Sequence, residues 1–266
     1  MLRDIAAKTL RDQGRALAGW TVAIVLLVAM YVAIWPSMRD QPAMSDFLDQ
    51  MPEAFRSLFA ATGADMSTPL GYLQIELMSF MAPILVILYA VTAGSAAVAG
   101  EEGKRTLDLL VTAPVSRRRI VVEKAVAMVV GTFGLSALLG VSLVVEGRFA
   151  DMDLPTAEVA AAMLHLAFLG LVFGAMALAI GCLTGQAGLS KAVPAVVAVV
   201  TYVVNGLGGM VTWLEPLQRY SPFFQFSGHD PLRNGISWPA VAVAFVTVAV
   251  LVVLAVVGFE RRDVRS

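Results

Sequence analysis

The sequence predicts an all-α polytopic membrane protein with six transmembrane helices, and three observations carry that expectation. Hydrophobic residues make up 58% of the chain and charged residues 15%, with a mean hydropathy of +0.78, whereas soluble domains carry charge on about a quarter of their residues. Six long runs contain no Asp, Glu, Lys or Arg: Ala16 to Met38, Leu77 to Gly100, Ala125 to Val145, Val159 to Ser190, Ala192 to Leu214 and Asn234 to Phe259. Each exceeds the ~20 residues a helix needs to cross the hydrocarbon. The runs are also continuously apolar, without the alternation that marks barrel strands.

The first run follows Arg3, Lys8, Arg11 and Arg15, the pattern of a secretory signal. It is too long for one, and no small-residue cleavage site follows Trp35, so it reads as a retained first span. Ahead of it Leu2, Ile5, Ala6, Thr9, Gln13, Ala16 and Trp20 recur at helical spacing among charged residues, which predicts an amphipathic interfacial helix with Asp4 and Lys8 one turn apart.

Between spans one and two, the 37-residue stretch Pro36 to Tyr72 holds a second amphipathic piece. Phe47, Leu48, Met51, Phe55, Leu58 and Phe59 lie on one side of it, with Asp46, Asp49, Glu53 and Arg56 on the other. It is too short to bury a core of its own. The fourth run is longer than one crossing needs, and Gly181, Gly185 and Gly188 near its end predict a stop near Leu183 and a turn before Lys191. The segment Glu215 to Trp238, with Pro216, Pro222, Pro231, Phe223, Phe224 and Phe226, is too apolar for a plain loop and too broken for a span. A re-entrant or interfacial outer element before span six fits it.

Basic residues are distributed unevenly between the two sides. Arg3, Lys8, Arg11, Arg15, Lys104, Arg105, Arg117, Arg118, Arg119, Lys124, Lys191, Arg261, Arg262 and Arg265 fall on one side, against Arg39, Arg56, Arg148, Arg219 and Arg233 on the other. The positive-inside rule then places both termini and the loop after span two in the cytoplasm of a cell-membrane protein. The single cysteine, Cys182, leaves no disulfide within the chain and no cysteine cluster for a metal.

The loop after span two is the most informative segment. Glu101 and Glu102 close the span, Arg105 to Ala113 can form a short helix with Leu107, Leu110 and Val111 on one face, Pro114 stops it, and Arg117 to Arg119 lead into span three. A rigid helix fixed between two spans can transmit force from a soluble partner.

In these residues the chain resembles the ABC type-2 permease family, whose members carry an acidic pair, Gly-Thr-Leu-Glu-Leu-Leu, then Pro-Val-Ser-Arg and a lysine opening the next span. The matching positions are Glu101, Glu102, Gly103, Thr106, Leu107, Asp108, Leu109, Leu110, Pro114, Val115, Ser116, Arg117 and Lys124. Lys104 and Arg105 are inserted before the threonine, and Asp108 replaces the usual Glu. The likeness extends to Pro52-Glu53-Ala54-Phe55, Gly71-Tyr72-Leu73, Ser221-Pro222-Phe223 and Asp230 to Gly235.

The resemblance implies one permease domain over residues 1–266, in a homo- or heterodimer with a second permease copy or paralogue. It implies two cytoplasmic ABC ATPase subunits that bind ATP and Mg, and a coupling helix seated in them. The coupling residues it implies are Glu101, Glu102, Gly103, Arg105, Thr106, Leu107, Asp108, Leu110, Val111, Pro114 and Arg117. The expected function is the permease subunit of an ATP-driven exporter, without a nucleotide site of its own. Gly103-Lys104 fails as a phosphate loop, with Val98 in place of the first glycine and Arg105 in place of the Ser or Thr that binds magnesium.

Within the spans Gln74, Glu76, His165 and Asn205 are candidates for a substrate path, because intramembrane polar groups are costly unless paired or wetted. An interhelical hydrogen bond is the commoner role for each. Gly170 and Gly174 suggest a close helix contact, more often within a chain than between two.

Three alternatives stand beside the exporter. A type-2 permease can assist assembly of an extracytoplasmic protein, as in the nitrous-oxide reductase maturation system. A membrane-embedded protease of the CAAX type would need Glu-Glu-x-x-x-Arg, and Arg105 falls one residue short. An ion-coupled transporter would need similar halves and midplane charges.

Overall fold

The computed structural model describes residues 5–39, 50–58, 65–103 and 115–262, which form helices and turns with no strand among them. Six helices are long and apolar enough to cross a membrane: α2 (Gly14–Arg39), α4 (Pro69–Ala97), α6 (Arg117–Ala150), α7 (Thr156–Thr184), α8 (Ala187–Leu207) and α12 (Trp238–Arg261). Shorter helices are α1 (Ile5–Asp12), α3 (Glu53–Leu58), α5 (Ala99–Gly103), α9 (Glu215–Gln218), α10 (Pro222–Ser227) and α11 (Pro231–Asn234). The face of the bundle that carries α1, α5 and the end of α12 is called the terminal face, and the opposite one the far face.

Span four, α7, is the axis of the bundle, with 78% of its most apolar window buried against 11% for span five. It packs on spans two, three, five and six. Lipid offers no hydrophobic drive between helices, so close backbone approach must supply the packing. Gly170 and Gly174 provide it within the chain: span two crosses there so closely that a Cβ on Gly94 would lie 2.2 Å from the Gly174 carbonyl oxygen.

Several boundaries depart from the charge-free runs. Span one continues through Pro36 to Arg39, and span two begins at Pro69 with a π-helical stretch over Gln74–Met81, so Gln74 and Glu76 lie inside the helix rather than at its edge. Thr68 caps it, its hydroxyl accepting from the Gly71 N–H at 3.1 Å. The turn after span four is only Gly185 and Gln186, and Lys191 lies inside span five. Gly185, at φ +69°, ends the helix early by bonding its N–H back to the Gly181 carbonyl, a conformation other residues adopt only under strain.

Among the described residues the amino-terminal helix runs over Ile5–Asp12, and Ala16 and Trp20 belong to span one. Ile5 is buried, while Lys8, Arg11 and Asp12 are exposed. Asp4 lies outside the described residues, as do Asp46, Phe47, Leu48, Asp49 and Phe59 of the second amphipathic piece. Of that piece Phe55 is exposed and Leu58 packs under Gly206.

On the far face, the segment from Glu215 to Asn234 folds into three short helices, each opened by a proline at its first or second position. It descends beside span four. The Phe223 ring stands 5.9 Å from Phe173, 17 residues or about 25 Å along that helix from Thr156. The segment therefore packs along span four to about its middle.

Candidate functional site

The terminal face gathers charge around the two acids that close span two. Val98, at φ −126° and ψ −61°, breaks the helix after Ala97, and the short turn Ala99–Gly103 turns Glu101 and Glu102 toward different neighbours. Glu101 pairs with Lys124 on span three. Glu102 pairs with Arg262 at the end of span six. Both glutamates are half-buried and Lys124 is buried, so these pairs are shielded from water far more than ordinary surface pairs.

Three further contacts tie the face together. Arg117 Nη1 donates to the main-chain oxygens of Phe259 at 3.2 Å and Arg262 at 2.5 Å, and its guanidinium lies 5.6 Å from the Phe259 ring centroid. A cation here meets the free carbonyls and negative dipole end of span six. Arg262 Nη1 donates to the Gly181 carbonyl of span four at 3.3 Å. Glu123, held by Arg119, accepts the main-chain N–H groups of Ile5 and Ala6, so a carboxylate caps the start of α1 from another helix. Ser116 caps span three in turn, accepting from the Arg119 N–H at 3.3 Å.

The first two turns of span three are thus a hub. Arg117 holds span six, Glu123 holds the amino-terminal helix and Lys124 holds the turn after span two. Of the expected coupling residues, Glu101, Glu102 and Arg117 converge here, and Gly103 is exposed at the end of the same turn. Arg105, Thr106, Leu107, Asp108, Leu110, Val111 and Pro114, with the expected coupling helix, lie outside the described residues. Sequence reasoning missed two participants: Arg262, which had entered only as one of the basic residues of the tail, and Glu123, which it did not single out.

The four intramembrane candidates fall into two groups. Gln74 and Glu76 stand on the π-helical stretch of span two, a form concentrated at functional sites. Glu76 lies within electrostatic reach of Tyr31 and Tyr72, and no cation among the described residues pairs with it. Tyr72 donates to the Tyr31 carbonyl at 3.1 Å and packs 5.3 Å from Trp35. Beside this stretch an apolar groove of about 350 Å³ runs between spans two and five, lined by Phe80, Ile84, Ile87, Val199, Tyr202 and Phe223.

His165 and Asn205 instead hold the segment before span six. His165 Nε2 accepts from the Ser237 N–H at 3.1 Å, which leaves Nδ1 as the protonated nitrogen donating to the Gln225 carbonyl, also at 3.1 Å. The Asn205 main-chain oxygen accepts from Gln218 at 2.7 Å, and its amide approaches Ser227 at 3.5 Å. At the foot of this segment burial pushes the Asp230 carboxyl above its usual range, opposed by Arg233 at 3.5 Å.

No individual curated protein matches the sequence. The model of the ABC-2 family transporter protein matches residues 3–264. That match spans nearly the whole chain, and with the six spans it identifies a multi-pass membrane protein, the permease component of an ABC transporter, whose family usually works with ATPase partners. This chain belongs to the ABC-2 family of transporter proteins.

Proposed function

We propose that the chain is the permease subunit of an ATP-driven exporter in the cell membrane, with both termini and the terminal face in the cytoplasm. ATP and Mg bind in separate ATPase subunits, and residues 105–113 seat in them as a coupling helix. A second permease copy or a paralogue completes the pore. The observation that carries this reading is the anchoring of the segment on both sides. Before it, Glu101 pairs with Lys124 of span three and Glu102 with Arg262 at the end of span six, and after it Arg117 bonds to the same end of span six. A load on residues 105–113 then reaches the transmembrane helices instead of being absorbed by slack chain. The apolar groove beside the π-helical stretch suits a substrate drawn from the bilayer.

Leu107, Leu110 and Val111 share the face offered to the ATPase. Burying Leu110 there contributes about 1.5–3 kcal/mol, so Leu110→Asp weakens the complex by about tenfold or more. The test is co-purification of the ATPase with wild type and its loss with Leu110→Asp at unchanged membrane insertion. Turnover of ATP by the isolated chain would refute the reading. So would a Leu110→Asp variant that binds its ATPase and transports at the wild-type rate.

A further inference from the structure

The Arg262 guanidinium connects three helices that are far apart in sequence. Nη2 meets Glu102, which opens the segment after span two, and Nη1 donates to Gly181 at the end of span four. The residue's own carbonyl accepts from Arg117, where the same segment re-enters the membrane as span three. Both side chains of the pair are mostly covered, 16% exposed for Arg262 and 18% for Glu102. The turn after span four makes room for them: a Cβ on Gly185 would stand 2.5 Å from Arg262 Nη1 and 2.8 Å from Glu102 Oε2. Beneath lies a small apolar cluster of Val98, Val121, Leu178, Cys182 and Phe259, one or more residues from each of spans three, four and six and from the end of span two.

Residues 104–114 connect Gly103 to Val115 in the sequence. Glu102 and Arg117, which flank this segment, are both bound to the end of span six. Displacing the segment must either carry span six with it or break a shielded ion pair together with two carbonyl contacts. Breaking such a pair is the expensive course, because it strands a charge at a poorly hydrated site.

We propose that Arg262 is a positioning residue that fastens the end of span six, and through Gly181 the end of span four, to the segment between spans two and three. Force applied to that segment is thereby delivered to four helices as one body, not to spans two and three alone. The transmission rests on the coupling role proposed above, whereas the clasp itself does not.

Two measurements in a Cys182→Ala background test it. In the isolated permease a nitroxide at residue 260 reports the end of span six, because Glu260 is exposed. Arg262→Gln, and Gly185→Ala, which displaces the pair without altering a charge, both raise label mobility if the clasp holds. Unchanged mobility in both variants overturns it. In the permease–ATPase complex, cysteines replacing Glu102 and Arg262 are joined by a short bis-methanethiosulfonate linker. Retained ATP turnover after linking means that the two ends travel together, and abolished turnover means that they must part, which overturns the proposal. The exchange Glu102→Arg with Arg262→Glu restores the turnover lost in either reversal alone and lowers the label mobility that either reversal raises; failure to do so counts against the pair. A wild-type permease that binds no ATPase sinks the coupling reading, while the label measurement still decides the clasp.

Discussion

Lys124 meets Glu101 across the junction between span three and the turn that closes span two, and the lysine is only 6% exposed. Among the described residues this carboxylate is the partner that keeps its ammonium compensated. Glu101→Ala leaves the charge stranded, which costs about 3–5 kcal/mol for a buried pair. Adding Lys124→Met removes the stranded charge and fills similar volume, so the double variant recovers most of the loss. Thermal unfolding of the purified permease in one detergent, followed for wild type, single and double variants, reads this directly. A double variant no more stable than Glu101→Ala would mean that the pair is not the source of the loss.

His165 ties the segment before span six to span four with both ring nitrogens, each bonded to a main-chain group. His165→Leu leaves the Ser237 N–H and the Gln225 carbonyl without their partner, at about 1–3 kcal/mol for each buried group left unmet. The loss concentrates on residues 215–237, so hydrogen exchange at Ser237 and its neighbours rises more than exchange in spans two and three. A uniform rise over all spans would argue instead for general loosening of the bundle.

Gly94 and Gly174 set the crossing of spans two and four, and the space there is already filled. Gly174→Leu forces the two backbones apart, an overpacking cost of about 1–3 kcal/mol or more. Gly134→Leu is the matched control, because nothing lies within 4 Å of a Cβ at that position and the residue is exposed on span three. The expected result is a lowered unfolding midpoint for the first variant and an unchanged one for the second.

Legibility in the sequence followed the range of the interaction. The six spans were readable because each depends on its own continuous apolar run, whereas their ends were not. Glu76 and Lys191 bounded charge-free runs yet lie inside helices, since a charged residue near a helix end can reach polar surroundings or sit at a half-buried position. The Gly170 and Gly174 pair announced a close contact but not that Gly94 would complete it. The acids at 101 and 102 stood out as a motif, and Lys124 lay within the same basic cluster. Arg262 lies 160 residues from Glu102, and only the tertiary packing of spans four and six brings it there. His165 was conspicuous as an intramembrane polar residue, but its partners are main-chain groups, which leave no mark on composition.

The orientation of the bundle offers the last prediction, and it governs all the functional ones. Fourteen of the 19 lysines and arginines fall on the side of the terminal face, which also holds the Glu101, Glu102 and Arg262 pairs. The positive-inside rule predicts that this face is cytoplasmic, so Arg118, exposed at the start of span three, should be reachable from inside. Glu53 and His229, both exposed and belonging to the far-face segments, must be reachable from outside. Single cysteines at these three positions in a Cys182→Ala background, treated with a membrane-impermeant maleimide on intact cells and on inverted vesicles, separate the two sides. Positions 53 and 229 should react on cells and position 118 on inverted vesicles. Reaction of position 118 on intact cells, with positions 53 and 229 protected, would turn the acidic pair and the expected coupling segment away from any cytoplasmic ATPase. The exporter reading would then fail at its first requirement, because an ATP-driven partner could not reach the segment it has to move.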